Sequence, residues 1–192
     1  GAERTHALML LGRQRARNPN ADKQWTNEGE DYLKQAAAIR PVNDWTDDAL
    51  IELANSYNQR VLYVEAASAL KEFLAQYKKG ESSYWDQARD MLRDIVDPQI
   101  NLSAAEAFAP GSWVRLDLNY RNLTEARIVI RRVQPQAQLD AWKDNERPRR
   151  RQPTGRLAGE KVYDEPVKDL VDDGKHAPSN KTVYLEPMKP GI

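Results

Sequence analysis

The sequence predicts a multi-domain chain that is α-helical in its first half and β in its second. Three observations carry this. From Glu3 to Val96, apolar residues recur every three or four positions, the period of helices with one buried face. Pro98 then breaks that pattern, and Pro110-Gly111 follows as a strong turn signal. Beyond the turn, "SWVRLDLNYRNLTEARIVIRRV" (residues 112–133) alternates apolar and polar residues around a polar break, as half-buried strands do.

Five helical segments are readable. The first runs from about Glu3 to Arg17, with Leu8 and Leu11 in its apolar stripe. The second spans Glu28 to Arg40 and is closed by Pro41, which cannot continue a helix. Thr46 reads as the N-cap of the third, with Asp47 and Asp48 complementing the positive end of the helix dipole. That helix reaches Gln59. The fourth covers Val61 to Lys79 and stops at Gly80; the fifth runs from Ser82 to Val96.

Leu50, Leu53, Ala54 and Tyr57 share one face of the third helix, and Ala66, Leu70 and Phe73 form a facing stripe on the fourth. Counted from Asp47 they fall at positions 4, 7, 8, 11, 20, 24 and 27. This spacing resembles the tetratricopeptide (TPR) repeat, in which small residues let paired helices approach closely. One repeat on, Tyr84, Ala88 and Met91 recur at positions 4, 8 and 11, while Gln87 breaks position 7. An ordinary helical hairpin would also meet the spacing. The expectation is a TPR-like helical domain over residues 1–97, with Tyr32, Tyr57 and Tyr84 either lining a groove for a partner peptide or packing between helices.

In the second half, Trp113, Leu116, Leu118 and Tyr120 stand out with Val114, Arg115, Asp117 and Asn119 between them, an alternation broken at Val114 to Leu116, and Ala126, Ile128 and Ile130 form a return strand. The two read as a β-hairpin turning at Asn122-Leu123-Thr124. A lone hairpin is marginal, so further strands are expected at residues 181–187 and, less clearly written, at "KVYDEPV". Trp113, Leu118, Ile128, Ile130 and Tyr184 are expected to face inward or towards the domain junction.

"YWDQARDMLRDIVDPQINL" and "PGSWVRLDLNYRNLTEARIVIRRV" together resemble the large bacterial alpha-2-macroglobulin family, in particular the Bacteroidetes branch with a helical N-terminal extension. The likeness covers roughly residues 84–192 and includes "RLAGEKVYDEPVKDLVDDGKHAPSNKTVYLEPMKPGI". It implies an antiparallel macroglobulin-like (Ig-like) β-sandwich over residues 98–192, with a long basic and acidic loop at about 143–178. It further implies an N-terminal fragment of a protease inhibitor of the cell envelope, periplasmic or outer-membrane-associated, with proteases or envelope proteins as partners. The family's last strand would lie beyond Pro190-Gly191-Ile192. The expectation is therefore a sandwich truncated at its C-terminus, or one completed by edge-strand pairing or a dimer.

No chemistry is written into the sequence. There is no cysteine, which excludes disulfides, thiol catalysis and the family's thioester. His6 and His176 are the two histidines; His176 lies beside Asp172 and Asp173 without metal-ligand spacing. Neither a G-x-S-x-G elbow nor a glycine-rich phosphate loop is present. No catalytic residue, cofactor or metal site is expected, and the chain reads as non-enzymatic. Lysine plus arginine and aspartate plus glutamate number 29 each, without the basic excess of a duplex binder, so no specific nucleic-acid partner is expected. Arg149, Arg150 and Arg151 make a local basic run, read as an exposed loop or as a patch for an acidic partner. No stretch approaches the length of a transmembrane segment. The competing reading is a free-standing TPR adaptor with an appended β-domain.

Overall fold

The computed structural model describes residues 1–17, 23–105, 109, 111–132 and 160–187. It contains five helices followed by antiparallel strands in two small sheets. Two compact units emerge: Gly1–Pro98 with Asp173–Ala177, and Gln99–Asp172 with Pro178–Ile192.

The helices are α1 (Ala2–Ala16), α2 (Lys23–Ala38), α3 (Thr46–Gln59), α4 (Tyr63–Gln76) and α5 (Trp85–Val96). Each packs on the next, and α1 also reaches α3. The core is α3: nine of its residues are buried, among them Ala49, Leu50, Leu53, Ala54 and Tyr57. Ala66, Leu70 and Phe73 of α4 are buried with them, so the two stripes legible in the sequence do form the centre of the unit. Small residues decide how closely α1 and α2 cross. A Cβ placed on Gly29 would lie 2.5 Å from the backbone nitrogen of Ala16, and one on Gly12 would lie 2.9 Å from the carbonyl oxygen of Gly29. Backbone meets backbone there, and only glycine fits.

Several expected details give way to tertiary geometry. Leu11 is exposed, and the buried residues of α1 are Thr5, Met9 and Gly12. Helix α2 begins at Lys23, one and a half turns before Glu28, because its first turns pack along α1. Thr46 is the first helical residue, not the N-cap; Trp45 occupies that position, and the Thr46 hydroxyl accepts a hydrogen bond from the Asn43 N–H at 3.2 Å. Val61 does not open α4. It closes α3 in the left-handed region at φ 63°, with Leu62 N–H bonding back to Tyr57 C=O and Val61 N–H to Asn58 C=O, the paired bonds of a Schellman motif. At the other end α4 stops at Gln76, since Tyr77 is already extended, and Gly80 (φ 94°) belongs to the following turn. Helix α5 ends where expected: Asp97 is extended, as the residue before a proline prefers.

The strands are β1 (Gln99–Ala104), β2 (Val114–Arg121), β3 (Ala126–Arg132), β4 (Glu160–Val167) and β5 (Ser179–Leu185). Strands β2 and β3 were expected to pair as a hairpin; they lie in different sheets. One sheet has the order β1-β2-β5 and the other is β3-β4, all antiparallel. The link at residues 122–125 crosses between sheets, with Asn122 at φ 54° making the bend. Alternation shows which face of a strand is buried, but not which strand lies beside it.

Leu116, Leu118 and Tyr120 of β2, Ile128 of β3, Val167 of β4, Leu170 in the segment after it, and Leu185 of β5 form one buried cluster drawn from both sheets, with Ile130 packed against it. The Tyr120 hydroxyl accepts a hydrogen bond from the Val171 N–H at 3.2 Å, which pins the segment after β4 over this cluster. Trp113 and Tyr184, expected to face inward or towards the domain junction, are 58% and 61% exposed and lie outside the buried cluster. Register explains Tyr184: it stands opposite Arg115 on the outer face, while Val183 and Leu185 face the core. The supposed loop at 143–178 contains β4, whose Asp164 pairs with Arg127 of β3 and, at 2.7 Å, with Lys161.

Candidate interaction surfaces

The three tyrosines occupy three different environments. Tyr32, half-buried on α2, lies under the Arg15 guanidinium, 5.3 Å from its ring centre. Arg15 also covers Trp25 at 5.1 Å and pairs with Glu28, so one cation of α1 is held by two rings and a carboxylate of α2. Tyr57 is buried in the last turn of α3, with the Lys34 ammonium 6.0 Å from its ring; burial raises its pKa. Tyr32 and Lys34 are two residues apart, so they project from sides of α2 about 200° apart. Tyr84 precedes α5, and its hydroxyl donates to Asp48 Oδ1 at 2.8 Å, the contact that chiefly raises its pKa. Asp48 lies in the first turn of α3 and Tyr57 in the last, about 14 Å along the axis. The structure thus distributes the rings along α2 and α3 and gives each its own partner.

Asp47 and Asp48 carry a role beyond the helix dipole. Asp47 Oδ2 accepts from the Ser82 hydroxyl at 2.6 Å while Asp48 holds Tyr84. Together they fasten the segment before α5 to the start of α3. Two glutamates are buried between helices. Glu30 of α2 receives Arg60 Nη1 at 2.6 Å and the Ser56 hydroxyl at 2.9 Å. Glu52 of α3 receives Arg17 through two contacts of 2.7 Å, with Arg13 at 3.4 Å. A buried carboxylate is tolerated only when paired in this way, and these pairs staple α1, α2 and α3 together.

Arg149, Arg150 and Arg151 lie outside the described residues. Among the described residues, no cluster of three or more His, Asp or Glu could hold a metal ion, and no helix is long and apolar enough to cross a membrane. His6 stacks on Trp45 with ring centres 3.7 Å apart.

The outer face of the β1-β2-β5 sheet was not anticipated. Asn101, Asn119 and Asn180 stand directly opposite one another across its three strands. The next row holds Ser103, Asp117 and Thr182, and the row beyond pairs Arg115 with Tyr184. Asp117 Oδ1 accepts from Thr182 Oγ1 at 2.7 Å and from Arg115 Nε at 3.1 Å; the hydroxyl first, then the guanidinium, hold its carboxyl below the usual range. The sequence signal was asparagine inside a strand, where it is disfavoured, but alignment of three such residues depends on register between distant segments.

No family model matches the chain, and comparisons with curated proteins and with solved structures return no match either.

Proposed function

We propose that this chain is a non-catalytic scaffold and interaction segment of a bacterial alpha-2-macroglobulin-like protease inhibitor acting in the cell envelope. In this reading α1–α5 are TPR-like helical pairs, and the two sheets are the layers of a macroglobulin-like β-sandwich. The observation that carries it is the splice: α5 ends at Val96 and β1 begins at Gln99, with the stretch that bears the family likeness running through both. The shared core of the two sheets supports the sandwich, because a link that crosses between layers, as residues 122–125 do, is how such folds are wound. Partner proteins would meet the tyrosine-bearing helices, Arg149–Arg151, or the edge strands.

The test uses the native polypeptide that carries this segment, including whatever is encoded beyond Ile192. Mixed with endopeptidases, it should protect large protein substrates while small peptide substrates are still cleaved, since a trapped protease keeps its active site. The 192-residue chain alone should neither inhibit nor hydrolyse. A reading frame that stops shortly after Ile192, with no protection of any substrate, would replace this proposal with a free-standing TPR-type adaptor.

A further inference from the structure

We propose that the outer face of the β1-β2-β5 sheet is a binding platform for an uncharged oligosaccharide chain, stacked on Trp113 and Tyr184 and hydrogen-bonded by the Asn101–Asn119–Asn180 row. The inference stands apart from the protease-inhibitor reading and survives its failure.

The asparagine row is the first ground. Asparagine is poorly suited to strands because its amide competes with the backbone ladder. Here three occupy aligned positions on adjacent strands, all exposed. None of the three side-chain amides exchanges a hydrogen bond with another described residue. Each therefore offers its full set of two donors and one acceptor outward. Positions that break a local rule are expected at functional or strained sites, and these three sit on regular, unstrained strands.

The two rings are the second ground. Tyr184 is opposite Arg115, and Trp113 precedes Val114 by one residue, so alternation sets it on the same face, diagonal to Tyr184. Both are more than half exposed. Same-face rows repeat about every 6.6 Å along a strand. The asparagine row is thus about 13 Å from Tyr184 and about 20 Å from Trp113 along β2. A chain of several sugar units spans that distance.

The intervening surface selects the ligand class. It carries no aliphatic side chain, so it lacks the apolar centre of a protein interface. Arg115 is neutralised by Asp117, leaving no run of free cations for phosphates. What remains is an array of amides, hydroxyls and a carboxylate beside two rings. Sugar hydroxyls match the former and the C–H face of a pyranose matches the latter.

The experiment is titration of the whole chain with cellohexaose, maltohexaose and N-acetylchitohexaose, read by tryptophan fluorescence and by amide NMR shifts. At least one should bind, with shifts confined to β1, β2, β5 and the three asparagine side chains. Trp113→Ala and Tyr184→Ala should each weaken binding about tenfold, the loss expected for one stacked ring, and Asn119→Ala several-fold. All three positions are exposed, so thermal melts of the variants should overlay wild type. No response to any of the three sugars at millimolar concentration overturns the proposal. So does binding that Trp113→Ala leaves intact, or a concentration-dependent self-association abolished by Trp113→Ala without sugar binding.

Discussion

Substituting Gly29 by alanine puts two opposing terms against each other. In a helix interior the change should help, because glycine costs about 1 kcal/mol relative to alanine. At this site the new Cβ would lie 2.5 Å from Ala16 N, 2.9 Å from Arg15 Cβ and 3.0 Å from Gly12 O. Ordinary contact begins at 3.4 Å, so 3.4 − 2.5 leaves 0.9 Å to be found. Two of the three atoms are helix backbone and cannot rotate away, so α1 and α2 must part. Overpacking of this kind costs about 1–3 kcal/mol, and a gap near 1 Å forfeits roughly a quarter to a half of each dispersion contact along the crossing. The clash should win, with a net loss of up to about 2 kcal/mol. Urea denaturation should show a lower midpoint at unchanged slope. Gly12→Ala, whose Cβ meets the fully buried Leu33 at 2.6 Å, should behave alike. The double variant should cost less than the sum, because one separation of the helices relieves both clashes. A Gly29→Ala protein more stable than wild type would show that propensity governs and that the helices do not cross this closely.

Other expectations follow from single residues. Val61→Gly should raise stability by about 1 kcal/mol, since a β-branched residue holds the left-handed position that closes α3 and glycine carries no such cost; an unchanged or lower urea midpoint would refute it. Arg60→Ala should cost about 2–3 kcal/mol in the same assay, because Glu30 would stay buried with only the Ser56 hydroxyl, and Arg60→Lys should restore part of the loss. Burial pushes the Tyr77 hydroxyl up to about 12, whereas in an unfolded chain it ionises near pH 10. The folded form keeps its proton longer, so this contribution is intact below about pH 10 and drains away as pH rises towards 12. Melting temperature measured across that range should fall less steeply in Tyr77→Phe than in wild type.

The sequence by itself determined where helix gives way to strand and which residues of α3, α4 and β2 face a core. Both are local properties. Spacing of Leu50, Leu53, Ala54 and Tyr57 fixes one face of a helix, and alternation from Leu116 to Tyr120 fixes one face of a strand, whatever they pack against. Proline at position 98 ends the helical pattern through its own ring. Tertiary structure alone decided the partners. The four residues 122–125 are as compatible with a crossing between sheets as with a hairpin turn, so the separation of β2 from β3 is settled only by the shared core of both sheets. The Gly12–Gly29 crossing and the early start of α2 depend on what a neighbouring helix brings within a few ångströms. For the surfaces the division is sharper. Tyr32, Tyr57 and Tyr84 were visible as rings that either line a groove or pack between helices, but their cationic and carboxylate partners come from other helices. Asn101 and Asn180 are 79 positions apart, yet Asn119 stands beside both. Pairing register, a property of three segments at once, makes that row, and no single stretch of sequence contains it.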